Sequence, residues 1–355
     1  MLNQGKNMIF KTVTIYTFLH FLVDFSCAIL LYHQVYPIVD NPIEIAYCFL
    51  FYNFFAFAVQ LPIGIIADHV RKNSLFASLG CLIIALAHVC APLGLFACII
   101  AGIGNALFHI GAGVDILNLS KGKAALPGIF VSSGALGIFL GTQSFFNHTS
   151  VSFITIALMV FGSIASHVIY KKYHSHLNLT IVHKTTYSFL TLFVITCLSL
   201  TVLLRSYTGF VFAFEWKQPF AIGLVFTLGI VFGKMFGGIF SDKFGIKKTA
   251  ILSLLFSMVF FWFSFQNNVI GIISGTLGVL LFNMTMPITL TALTNLMPTQ
   301  KGMAFGLLTF MLFLGAIPLL SGLKTPFFSP LGLSILILSS AFFLYCGLIK
   351  TQEID

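Results

Sequence analysis

Four charged side chains stand inside long apolar stretches of this sequence: Asp24, Asp115, Arg205 and Lys234. A charge held at mid-membrane costs from about 2.5 kcal/mol to more than 10, so it is paired or put to use. A carboxylate there can carry a proton, and a guanidinium can hold a carboxylate ionised or attract an anionic solute. His20 and His109 lie in apolar stretches too, and a histidine titrates near neutrality and suits proton traffic. A neutral, hydrogen-bonded histidine in a helix core is the plainer alternative, and His88 fits it best. Asn105 and Asn283 complete the polar set that is expected to serve substrate or proton coupling.

The elements that position these groups follow from composition. The chain is 58% hydrophobic and 8% charged over 355 residues, where a soluble domain carries roughly 25% charged residues. Lipid is therefore the solvent. A spanning helix needs about 20 mostly apolar residues. Cuts at charges, prolines and polar clusters give twelve spans: 13–35, 43–67, 74–91, 94–117, 124–146, 151–170, 187–212, 218–240, 247–265, 268–292, 302–322 and 327–349. The first is expected to be a true span, since it is too long for the core of a cleavable signal.

Orientation follows from the basic residues. With the N-terminus inside, Lys6, Lys11, Arg71, Lys72, Lys121, Lys123, Lys171, Lys172, Lys184, Lys243, Lys247, Lys248, Lys301 and Lys350 fall on the cytoplasmic side, and only Lys217 and Lys324 fall outside. Both termini are expected in the cytoplasm, in a bacterial inner (plasma) membrane. The formal charge of +9 reflects this bias. The basic residues form no stripe, so nucleic acid is not an expected partner.

The polar stretch 171–186 divides the chain into a six-helix half over 1–170 and another over 187–355. Its His174, His176 and His183 have no carboxylate or cysteine to complete a ligand set, so a solvated linker is expected and no metal site. The seven cysteines form no C-x-x-C pair, and their odd number speaks against a disulfide framework. No P-loop, H-E-x-x-H or G-x-S-x-G is present. Neither a cofactor nor enzymatic activity is expected.

One motif occurs twice, nearly half the chain length apart. The second copy is Gly238-Ile-Phe-Ser-Asp242-Lys243-Phe-Gly245-Ile-Lys247-Lys248. The first, Gly64-Ile-Ile-Ala-Asp68-His69-Val-Arg71-Lys72, has His69 at a basic position and Arg71 where the second has glycine. A glycine-led, charged turn after spans 2 and 8 of a twelve-span chain resembles the major facilitator superfamily. The resemblance implies an all-α integral membrane protein, with twelve transmembrane helices in two pseudo-symmetric six-helix bundles. It also implies a conformational latch at Gly64, Asp68, Arg71, Gly238, Asp242, Lys243, Gly245 and Lys247, in which each aspartate sits near a neighbouring helix N-terminus.

Within the superfamily, His20-Phe21-Leu-Val-Asp24, Gly102-Ile-Gly104-Asn105-Ala-Leu-Phe108-His109 and Leu204-Arg205-Ser206 resemble the fosmidomycin-resistance type of exporter. Ile110-Gly111 stands where that group has Pro-Glu, so its proton-carrying glutamate is absent, and span 5 lacks the proline of the antiporter signature. The superfamily lines its cavity with spans 1, 4, 7 and 10. Asp24 and Arg205 are therefore expected to meet, either as a switchable coupling pair or as a permanent tie between helices. Asp115 is read as a second coupling site or as a gate partner of Lys121 or Lys123, and Lys234 as snorkelling to headgroups. Span 10 carries Asn283, Thr285, Thr289, Thr291, Thr294 and Asn295 around Pro287, which suits either a gating bend or local bonding.

The expected function is secondary active transport of a small organic solute by alternating access, as proton-coupled efflux of a drug or metabolite. Import of a small organic anion with protons, or lipid handling, are the alternatives. The expected partners are the solute, protons and the lipid bilayer, with the chain a monomer.

Overall fold

The computed structural model describes residues 2–146, 149–177, 187–323 and 326–349. Ten helices are long and apolar enough to cross a membrane, and two shorter apolar helices complete the set. In chain order they are α1 (Asn7–Ile38), α2 (Pro42–Val70), α3 (Asn73–Val89), α4 (Leu95–Ser120), α5 (Ala125–Gly141), α6 (Ser150–Lys172), α7 (Phe189–Val211), α8 (Phe220–Phe244), α9 (Ile246–Phe263), α10 (Val269–Leu296), α11 (Lys301–Leu320) and α12 (Pro330–Gly347). Each matches one span read from the sequence. The architecture is the expected one: all-α, twelve helices, two six-helix bundles. Most of the linker 171–186, with His183 and Lys184, lies outside the described residues.

Local sequence sets several helix starts. Asn41 accepts from the Ile43 amide at 2.9 Å ahead of α2, with Pro42 as its first residue. Asn268 caps the Gly271 amide at 3.0 Å ahead of α10, and Ser329 caps Gly332 at 3.0 Å ahead of α12. Each cap satisfies a backbone donor that lipid could not. Two helices break where the sequence demands it. In α10 the regular turns stop at Asn283 and resume at Thr285, because Pro287 has no amide hydrogen and its ring crowds the carbonyl of Asn283. In α5 they stop at Ser132 and resume at Gly134. α1 ends in a π-turn over Leu30–Val35, and α2 contains another over Phe54–Ala58.

Residue contacts sort the chain into two compact units. The first holds Met1–Lys121, Ser133–Val182 and Thr299–Phe310; the second holds Gly122–Ser132, His183–Pro298 and Met311–Asp355. In the first unit α4 is the central helix: a run from Ile110 to Ser120 is buried without interruption. The outer faces are apolar, as on α6, where Phe153, Ile154, Phe161, Ile164 and Val168 are all exposed. Such rings and branched chains cost nothing against lipid tails, so packing rests on close contact between helices. In the second unit, Phe232, Phe236 and Phe240 stack successively along one face of α8.

Candidate functional site

His20 and Asp24 are one helical turn apart on α1, so both side chains leave the same face. Asn105 and His109 have the same spacing on α4. The two pairs converge inside the first unit. His20 Nε2 lies 3.3 Å from Asp24 Oδ2, and His109 Nε2 lies 3.8 Å from Asp24 Oδ1. Asn105 Nδ2 donates to Asp24 Oδ1 at 3.1 Å. The two imidazoles meet edge to face, with centroids 4.6 Å apart. Asp24, His20 and Asn105 are 9%, 5% and 2% exposed, so the carboxylate depends on these partners and not on water.

The wall behind the cluster is α5. A Cβ on Gly134 would stand 2.2 Å from Asp24 Oδ2 and 2.5 Å from His20 Nε2, and one on Gly137 would stand 2.3 Å from the Phe21 carbonyl oxygen, a backbone approach that only glycine allows. Ser133 Oγ donates to the Thr17 carbonyl at 2.7 Å and fixes the approach.

One hydrogen bond sets the chemistry. His109 Nδ1 lies 2.9 Å from the Asn105 carbonyl oxygen, which only accepts, so Nδ1 carries the hydrogen. His109 then faces the Asp24 carboxylate through Nε2, at 3.8 Å. A proton on Nε2 would make that contact an ion pair in a dry interior, where such an attraction is strong. The sequence reading assigned no metal ligands, yet one atom each of His20, Asp24 and His109 lies within 4.8 Å of the others.

The remaining candidates fall elsewhere. Asp115 is 1% exposed, and its Oδ2 accepts from Tyr16 Oη at 3.0 Å and Ser74 Oγ at 2.6 Å. It is therefore buried among neutral donors, while Lys121 and Lys123 are exposed. Asp24 finds its ion-pair partners, His20 and His109, in its own unit; Arg205 is 8% exposed, has no acidic partner among the described residues, and leaves Nη1 unbonded. Each of the two charges is thus described in the environment of its own unit. Asn283 donates to the Val279 carbonyl at 2.8 Å, and Thr285, Thr289 and Thr294 bond back to their own helix.

The two motif aspartates hold helix starts. In the first unit Asp68 accepts from the Gly302 and Met303 amides, both at 2.8 Å, at the start of α11. In the second, Asp242 accepts from the Ala124 and Ala125 amides at 2.8 and 2.9 Å, at the start of α5. Gly64 lies flat on Gly302, where a Cβ would stand 2.1 Å from the carbonyl oxygen. Lys247 lies over the Tyr345 ring, 4.0 Å from its centroid, and Lys243 lies over Phe244. Arg71 takes a left-handed conformation (φ 56°), where Gly245 takes φ 94°. Sequence reasoning missed Tyr16 and Ser74 as partners of Asp115. It also missed Lys301, whose Nζ reaches the Leu117 carbonyl in the last turn of α4 at 3.1 Å. No sequence signal links these positions; only the fold does.

This architecture is the major facilitator fold. No family model and no curated relative matches the sequence. Among solved structures, a bacterial homologue of the iron transporter ferroportin, in an outward-facing state with soaked iron, superposes with a TM-score of 0.64 at 14% identity, over 97% of this chain and 99% of that one. A variant of the E. coli fucose:proton symporter FucP gives 0.59 at 14% identity, over 94% and 97%. FucP in its outward conformation gives 0.55 at 13% identity, over 94% and 98%.

Proposed function

We propose that the chain is a secondary active transporter that moves a small organic solute by alternating access, coupled to protons, in the direction of efflux. The observation that carries this reading is the His20–Asp24–Asn105–His109 cluster: a buried carboxylate on α1 with two titratable imidazoles within 3.3 and 3.8 Å. When the proton is present, imidazolium and carboxylate pair. When it leaves, that attraction is lost, so protonation biases the packing of α1 against α4 and α5. The similar fold of a fucose:proton symporter supports proton coupling. Asp68 and Asp242 act as latches: each carboxylate accepts two backbone amides at a helix start and must give both up when that contact opens. Asp115, buried among Tyr16 and Ser74, serves as a second proton site. The basic residues of the motif loops place those loops, and both termini, in the cytoplasm.

A second reading, import of a small organic anion, is favoured by Arg205, a buried guanidinium with no acidic partner among the described residues.

The test is the thermal stability of purified protein against a panel of anions, cations and amphiphiles, in mildly acidic and in neutral buffer, followed by flux of each hit in proteoliposomes with an imposed proton gradient. A ligand at 100 times its Kd adds about 2.7 kcal/mol of stability. A hit whose outward-directed flux follows the proton gradient supports efflux. Inward flux of an anion that is lost in Arg205→Ala supports the second reading. Hits among phospholipids alone would overturn both.

A further inference from the structure

We propose that His20, Asp24 and His109 form a binding site for a single divalent first-row transition-metal ion, held within the first unit by α1 and α4. The inference rests on the same cluster as the transport reading but asks more of it. A proton needs one donor and one acceptor. Here three ligand atoms of the right chemistry converge from two helices, and two of them are imidazoles.

The distances fit. Zinc binds histidine nitrogen and carboxylate oxygen at about 2.0–2.2 Å, so ligand atoms at the corners of a tetrahedron stand about 3.3–3.6 Å apart. His20 Nε2 lies 3.3 Å from one Asp24 oxygen and His109 Nε2 lies 3.8 Å from the other, and one ligand atom of each residue falls within 4.8 Å of the rest. The outer arrangement fits as well. A metal-bound histidine usually gives its other ring hydrogen to a carbonyl or carboxylate, which orients the ring and raises the basicity of the ligand nitrogen. His109 Nδ1 does this to the Asn105 carbonyl at 2.9 Å.

A second observation points to a ligand. Asn105 is 2% exposed, and its side-chain oxygen has no hydrogen-bond partner although its nitrogen bonds Asp24. This leaves an unsatisfied oxygen donor on a residue that itself bonds the Asp24 carboxylate. The donor set selects the metal. Two imidazoles and one carboxylate suit zinc, iron, cobalt or nickel, whereas calcium and magnesium take oxygen ligands. Three protein ligands also leave coordination positions open, as in sites whose contents exchange.

The experiment is calorimetric titration of zinc and of cobalt into purified protein. The background carries His174→Gln, His176→Gln and His183→Gln, so that the linker contributes no binding. The expected result is one saturable site per chain, a cobalt visible spectrum of nitrogen and oxygen ligation, and affinity weakened roughly tenfold or more by His109→Ala and by His20→Ala. His88→Ala, a buried histidine outside the cluster, should leave affinity unchanged. A measurement free of the cluster variants is protection by zinc of His20 and His109 from diethyl pyrocarbonate, read by mass spectrometry. Absence of saturable binding, affinity indifferent to both cluster histidines, or no protection would overturn the site. Such a failure is separable from failure of the transport reading. Gradient-driven flux in protein that shows no saturable metal binding would sink the metal site alone. Metal binding with flux indifferent to Asp24→Asn would sink the proton-coupling role alone.

Discussion

The two units bury charge in opposite ways. The first encloses Asp24 and Asp115, each supplied with partners: histidines and an asparagine for one, a tyrosine and a serine for the other. The second buries Arg205 with an unbonded Nη1 and no acid among the described residues. Helix α1 belongs to the first unit and α7 to the second. The first unit surrounds its carboxylates with donors and imidazoles. The second keeps a buried guanidinium, for which a bound solute is the partner under the anion reading proposed above. An unpaired buried charge is costly, and its retention points to use.

Gly134→Ala should break the first half of this contrast most severely. Its Cβ would enter the space of Asp24 Oδ2 and His20 Nε2, and overpacking of this kind costs about 1–3 kcal/mol. Thermal stability should fall and gradient-driven flux should vanish. Gly209→Ala, with nothing within 4 Å of the added Cβ, should do neither. Equal behaviour of the two variants would remove the structural basis of the cluster.

Arg205→Met sharpens the second half. Leaving a buried donor unsatisfied costs about 1–3 kcal/mol, so its removal should hold or raise the melting temperature while anion binding is lost. A sharp drop in stability would mean that Arg205 holds packing instead.

The duplicated motif offers a smaller contrast of opposite signs. Gly245 has φ 94° and ψ 139°, a region almost reserved for glycine, so Gly245→Ala should destabilise by about 1–3 kcal/mol. Arg71 sits at φ 56° and ψ 32°, where a side chain costs about 1–2 kcal/mol, so Arg71→Gly should stabilise by about 1 kcal/mol. Calorimetry on the pair reads both signs; the same sign from both would refute the backbone argument.

The helices were legible because lipid imposes a simple rule: about 20 apolar residues per span, interrupted by polar turns. Even the break in α10 follows from Pro287. The motif aspartates were legible as well, through the resemblance of the glycine-led turn ending in Asp242, which implies a neighbouring helix start. The partners of the buried charges were not. Sequence shows that Asp24 and Arg205 are both intramembrane charges of opposite sign, and opposite charges invite pairing. It does not show that Gly134 brings α5 against α1, or that Asn105 and His109 turn toward Asp24 from α4. The pairing of Asp115 with Tyr16 and Ser74 is equally invisible, because hydroxyl donors occur throughout the chain and only the helix register selects these two. The spacing of His20 and Asp24, four residues apart on one helix, was the available hint that two ligand atoms share a face.

The most direct test of the central claim separates coupling from translocation in proteoliposomes, with a solute identified by the stability panel. Asp24→Asn removes the carboxylate that makes the cation contact with His109 while keeping the shape of the side chain. The account predicts that this variant loses flux driven by a proton gradient yet retains exchange of labelled for unlabelled solute at equal pH. Gradient-driven flux at the wild-type rate in Asp24→Asn would contradict it.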